Sequence, residues 1–178
     1  MKSSKTKKPV VYAFIDSQNL NLGTQASGWK LDFGKFRLYL KNKYGVERAY
    51  LFIGQLVGNE SLYTSLSEMG YILVMKQTTE YTVDEKVTVK GNVDAELVLH
   101  AAAIQYGFYD KAIIVTGDGD FQCLVEYLRD QDKLLHIIVP NDRFSKLLRG
   151  YTKYIVRMGP MRQKLAIKKT RSSGRSKP

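Results

Sequence analysis

The residues best suited by type to do chemistry are aspartates, and they fall in three separated segments. Asp16 ends the apolar run Val10–Ile15 and opens Asp16-Ser17-Gln18-Asn19. Asp94 follows Lys90-Gly91-Asn92-Val93. Asp118 and Asp120 bracket a glycine in Gly117-Asp118-Gly119-Asp120, just after the apolar run Lys111–Thr116. Carboxylates brought together repel one another unless a cation neutralises them. Hard oxygen ligands select Mg2+ or Mn2+ over zinc. Such an ion polarises a phosphoryl oxygen, orients an attacking water and stabilises the leaving oxygen. That chemistry needs neither a protein nucleophile nor a histidine base, which suits a chain with two His and one Cys. No Cys/His cluster has zinc spacing, and no GxxxxGK[ST] phosphate loop is present. A phosphatase with an aspartyl nucleophile would show Asp-x-Asp after the first strand, where this chain carries Gln18.

Each of these residues also has an ordinary structural role open to it. Asp118 and Asp94 are placed to cap helices, Asp120 to sit at the positive end of a helix dipole, and Asn19 to support a turn. Capping alone does not require the acids to fall at one sheet edge, nor Asp118 and Asp120 to flank a glycine. The two glycines of that segment permit a sharp turn and leave room for a ligand.

The elements around these segments alternate. Val10–Ile15, Glu47–Ile53, Tyr71–Met75, Lys111–Thr116, Leu134–Val139 and Tyr154–Val156 read as strands. Asp32 is placed to cap a helix carrying Phe33, Phe36 and Leu40 on one face. A short helix would carry Leu62, Leu66 and Met69. Asp94–Tyr106 reads as an Ala- and Leu-rich helix, and Phe121, Leu124, Val125 and Leu128 mark another, with Cys123 expected among its core residues. Arg143–Arg149 would form a short helix. Tyr81–Val83 and Lys86–Val89 have the composition of a ribbon. Strands alternating with helices predict an α/β domain with a mainly parallel sheet covered on both faces. In such sheets ligands bind beyond the C-terminal strand ends, the edge that all three acidic segments can reach.

The net charge of +11 is unevenly distributed. Residues 1–8 hold four Lys and residues 157–178 hold eight Lys/Arg, both without acids, so residues 9–156 are close to neutral. We expect a basic N-terminal tail over 1–8, a folded body over 9–158 and a basic, disordered C-terminal tail over 159–178. The tail would either contact nucleic-acid phosphates or serve solubility. No apolar run is long enough to span a membrane, no signal-peptide pattern is visible, and a single cysteine forms no internal disulfide. These features predict a cytoplasmic protein. Lys90 is either a phosphate contact or a solvated loop lysine. Trp29, Tyr44 and His136 fit packing roles better than base stacking or chemistry.

Phe14-Ile15-Asp16-Ser17-Gln18-Asn19-Leu20, Lys90-Gly91-Asn92-Val93-Asp94 and Val115-Thr116-Gly117-Asp118-Gly119-Asp120-Phe121 occur in that order. They resemble the three motifs of the NYN domain, a branch of the PIN-like nucleases, over roughly residues 10–156. The resemblance implies a three-layer α/β/α sandwich of Rossmann-like type and a metal-dependent ribonuclease site. Asp16, Asp94, Asp118 and Asp120 stand at the acidic motif positions as catalytic residues and ligands of Mg2+ or Mn2+. Asn19 is beside Asp16, where it would orient a ligand water or Asp16 itself, and Ser145 resembles a polar residue near the family's final helix. Many relatives carry a further acid about two turns into the helix at Asp94, where this chain has His100. His100 is then a core residue, a neutral hydrogen-bond donor behind the ligands, or a ligand itself. Loss of the acid would weaken metal binding and points to an alternative, an inactive RNA-binding or regulatory module. RNA would be held by Lys90 and by Arg162, Lys164, Lys168, Lys169 and Arg171 of the basic C-terminus. PIN-like relatives often self-associate, so the resemblance leaves a homodimer open.

Overall fold

The computed structural model describes residues 8–77, 79–83, 86–90 and 93–168. Six strands form one all-parallel sheet: β1 (Val11–Asp16), β2 (Val46–Gln55), β3 (Tyr71–Gln77), β6 (Lys111–Val115), β7 (Leu134–Val139) and β8 (Ile155–Arg157), in the order β3-β2-β1-β6-β7-β8. Between β3 and β6 lies a two-stranded antiparallel ribbon, β4 (Thr79–Val83) and β5 (Lys86–Lys90).

Alternation along each strand sorts side chains into two cores. Val11, Ala13 and Ile15 of β1 face one core with Ala49, Leu51, Ile113 and Val115. Helices α1 (Ser17–Ala26) and α2 (Phe33–Tyr44) cover it with Leu20, Phe36 and Leu40, and α3 (Glu60–Glu68) adds Leu66. Tyr12 and Phe14 face the other core with Tyr50, Phe52, Ala112 and Ile114. It is covered by α4 (Asp94–Leu99), by α5 (Gln122–Asp130) and by a 3-10 segment, Lys146–Tyr154. The result is the three-layer α/β/α sandwich. Among the described residues, no helix is long and apolar enough to cross a membrane.

Several local expectations change. The helix at Asp94 widens to a π-helix over His100–Ile104, where the Gln105 N–H bonds to His100 O at 2.9 Å, and Tyr109 donates its hydroxyl proton to Ala101 O. On α3 the buried pair is Tyr63 and Leu66, while Leu62 and Met69 are exposed. Cys123 is exposed too, because the stripe of Phe121, Leu124, Val125 and Leu128 takes the core-facing side of its helix. No helix begins at Arg143: Asn141 Oδ1 accepts from Arg143 N in a turn, and the 3-10 segment starts after Ser145. The chain also stays folded past residue 159. A 3-10 turn (Gly159–Met161) and α6 (Arg162–Leu165) bury Leu165, and Ala166 bridges antiparallel to Leu31.

Candidate metal centre

The strand order reverses between β1 and β6: the chain moves outward through β2 and β3 on one side, and through β7 and β8 on the other. Ligands collect at such a switch point. Ile15 pairs with Val115 in register, so the two chain segments that leave the sheet here are neighbours.

Asp16 is the last residue of β1 and the N-cap of α1. Its Oδ1 accepts from Asn19 N at 3.0 Å and its Oδ2 accepts from Thr116 Oγ1 at 3.2 Å. Thr116 Oγ1 in turn accepts from Asp118 N at 3.1 Å, and Asp118 Oδ1 accepts from Asp120 N at 3.1 Å, capping the Gly119–Phe121 turn. The side chain of Asn19 reaches across, its Oδ1 accepting from Gly117 N at 2.8 Å. Capping is therefore real for Asp16 and Asp118. Asp94 differs: it is the first residue of α4, and Val93 is the N-cap.

Asp16, Asp94, Asp118 and Asp120 line one open cavity of about 700 Å3. Asp16 is buried and Asp120 exposed, so the acids step from floor to rim. Burial pushes the Asp16 carboxyl above its ordinary range. Nearby Asp94 and Asp118 add to the rise, against the bonds from Asn19 N and Thr116 Oγ1. Close packing fixes the rim. A methyl group on Gly119 would overlap Ser145 Oγ, and Ser145 N donates to Gly117 O at 2.9 Å. On the opposite side, Gly23 of α1 lies so close to Pro140 that a side chain there would collide with its ring.

Among the described residues, no three His, Cys, Asp or Glu side chains converge tightly enough to encase a metal ion. Mg2+ does not require a cage: it commonly binds through one or two carboxylates and keeps several waters. A lining that gathers mutually repelling carboxylates in an open cavity, with no Cys or His among its residues, fits a hydrated hard cation better than zinc.

The NYN domain family model matches residues 10–159, a span that takes in all three acidic segments. The chain belongs to the NYN domain family. NYN domains have a PIN-like nuclease fold. Over 156 residues this NYN chain is 24% identical to the low amplitude and bright protein LabA of Synechococcus elongatus, a match covering 84% of this chain and 83% of that one. The crystal structure of a Vibrio parahaemolyticus protein of unknown function shares the fold, with a TM-score of 0.71 at 22% identity over 94% of this chain and 100% of the other.

The other residues singled out from the sequence are more dispersed. His100 is outside the cavity lining: its ring packs on Tyr50 and Phe52, with centroids 6.0 and 5.4 Å away, on the core side of α4. Burial holds its pKa below the ordinary value, with Glu96 pulling the other way. Glu96 is also outside the lining and pairs with Lys76 at 2.8 Å. Asn19 spends its side-chain oxygen on Gly117, not on Asp16. Ser145 caps the 3-10 segment through Leu147 N. Arg162, Lys164 and Lys168 are exposed, and Arg162 lines a separate cleft with Trp29 and Lys30. Lys90 ends β5, with its side chain outside the described set, and Lys169 and Arg171 lie outside the described residues. Trp29 is buried and the Tyr44 ring packs at a tilt against His136, both as packing residues.

Sequence reasoning missed Arg143, which is among the residues that line the cavity. A usable signal existed. The strand β7 runs directly into Pro140-Asn141-Asp142-Arg143, a polar turn at the same sheet edge as the acids.

Proposed function

We propose that this NYN domain is a divalent-metal-dependent ribonuclease. The observation that carries the reading is the arrival of Asp16, Asp94, Asp118 and Asp120, from three distant segments, in one cavity at the switch point of the sheet. These four aspartates would hold Mg2+ or Mn2+. Such an ion, when bound, supplies Lewis-acid stabilisation of a phosphodiester and a water activated at neutral pH. Asn19 and Thr116 keep the two acidic turns in register through Gly117 and Asp118. Arg143, at the rim, is suited to pairing with a phosphate of the strand. The folded body would be the NYN domain extended through residue 167, with basic arms at 1–8 and from 168 onward that gather RNA by counterion release. A lone, exposed thiol suits the reducing cytoplasm.

The test is cleavage of a mixed-sequence single-stranded RNA with Mn2+, Mg2+ or EDTA, alongside Asp94→Asn. Cleavage that needs metal and disappears in the folded variant is the expected result. A folded variant cutting at the parent rate removes Asp94 from the site.

The second reading is an RNA-binding module without turnover. It is favoured by His100 at the position of a further acid and by the lack of a three-carboxylate cage among the described residues. It predicts RNA binding but no cleavage at any metal concentration in the same assay.

A further inference from the structure

Beside the acidic cavity is a second, more apolar groove of about 420 Å3, and the two share Gln18, Leu22 and Val93 as common walls. We infer that this groove is a subsite for one nucleobase of the RNA strand whose backbone crosses the aspartates. The inference rests on the ribonuclease reading and extends it to how the strand is held.

The groove opens at the same sheet edge, between α1, the end of β2 and the start of α3. Leu22 and Leu62 are 55% and 46% exposed, although both are on helices that bury other residues. An aliphatic pair left at a groove mouth gives flat apolar surface on which a base can lie. Phe52 and Val93 close the inner end. The polar groups are few and neutral. Gln18 and Asn59 present amides, and Asn59 caps α3 without using its side chain. Amides supply both donors and acceptors for the edge of a splayed-out base. The volume lies within the range of small-ligand sites. Among the described residues no Lys or Arg lines the groove, so a phosphate gains little there, whereas the neighbouring cavity carries the charges. Backbone on the acidic side and base on the apolar side is the division that single-stranded RNA recognition uses.

The experiment measures binding of an RNA tetranucleotide and of its fully abasic counterpart, in Mg2+, to the full chain carrying Asp94→Asn so that bound RNA stays intact. The short ligand limits sliding. The expected result is about tenfold tighter binding of the tetranucleotide with bases. Adding Leu62→Gln, on a half-exposed helical position, should bring it to the abasic level and leave abasic binding unchanged. Equal binding of the two ligands, or no effect of Leu62→Gln, overturns the subsite while RNA binding itself stands. Failure of both ligands to bind overturns the subsite, while failure of the parent chain to bind or cut longer RNA overturns the ribonuclease reading separately.

Discussion

Asn19 Oδ1 accepts a 2.8 Å hydrogen bond from the backbone N–H of Gly117, 98 residues away in sequence, and so ties the turn after β1 to the turn after β6. With the Asp16–Thr116–Asp118 chain beside it, this bond sets how far apart the two acidic turns stand.

Asn19→Ala removes the acceptor and strands a partly buried N–H, at a cost of about 1–2 kcal/mol. The fold should survive with a lowered melting temperature. RNA cleavage should fall at least about tenfold through a drop in kcat, because a misplacement of about 1 Å near reacting groups is expensive. Melting curves and steady-state cleavage kinetics check this. A variant less stable yet equally active would show that the strap serves folding alone.

Asp16 is held buried, with its carboxyl pKa raised first by that burial and then by Asp94 and Asp118. A folded-state pKa above the unfolded one contributes stability that is present at acid pH and lost as pH rises through the folded value. At neutral pH the ionised side chain therefore works against the fold. Asp16→Asn should raise stability by about 1 kcal/mol at pH 7 and abolish cleavage. Millimolar Mn2+ or Mg2+ should raise the melting temperature of the parent by several degrees and leave the variant almost unmoved. Thermal melts with metal and with EDTA read this without reference to activity, and an equal metal response in both proteins would separate Asp16 from the centre.

The layers and the acidic site were legible to different extents, for physical reasons. Runs such as Leu134–Val139 announce buried parallel strands because both faces are covered, and the stripe at Phe121, Leu124, Val125 and Leu128 has one helical solution. The acids could be located because strand ends position them. What periodicity cannot carry is tertiary choice. Leu62 fits the helical stripe of α3 but lies at a groove, and Tyr63 takes the core position with its hydroxyl donating to Gly54 O. Basic composition hid the folding of residues 162–167, whose contacts include the buried Leu165 side chain, backbone bonds to Asp32 and Lys30, and the Leu31 bridge.

His100 is an independent pH probe. Its Nδ1 is buried with no hydrogen-bond partner among the described residues and its ring faces Tyr50 and Phe52, so burial depresses its pKa. Below the ordinary value of about 6.5 the unfolded chain binds a proton that the folded chain resists. The stability tied to neutral His100 is therefore complete above that pH and is lost as pH falls through the folded value. His136, also depressed mainly by burial, acts with the same sign. Urea unfolding at about pH 7.5 and about pH 5.5, on either side of that value, should show the parent losing more stability than His100→Gln, which lacks the His100 share and keeps the contributions of the other groups. Parallel losses in the two proteins would mean that His100 is charged in the fold.

The C-terminus separates into a packed part and a charged part, and two truncations distinguish them. Leu165 is buried, Asp32 N donates to Leu165 O at 2.8 Å, and Lys35 Nζ donates to Ala166 O at 2.8 Å. Removing residues 160–178 deletes these contacts and should cost about 2–4 kcal/mol. Removing only 169–178 deletes Lys169, Arg171, Arg175 and Lys177 and leaves the packing. That shorter truncation should keep the melting temperature within about a degree and weaken RNA binding. It should also reduce the slope of log affinity against log salt by up to about 3, since each neutralised phosphate of a single strand contributes about 0.7. Binding titrations at several salt concentrations check the second effect. An unchanged slope would free the basic C-terminus from any part in holding RNA and leave Arg143 and the groove to account for affinity.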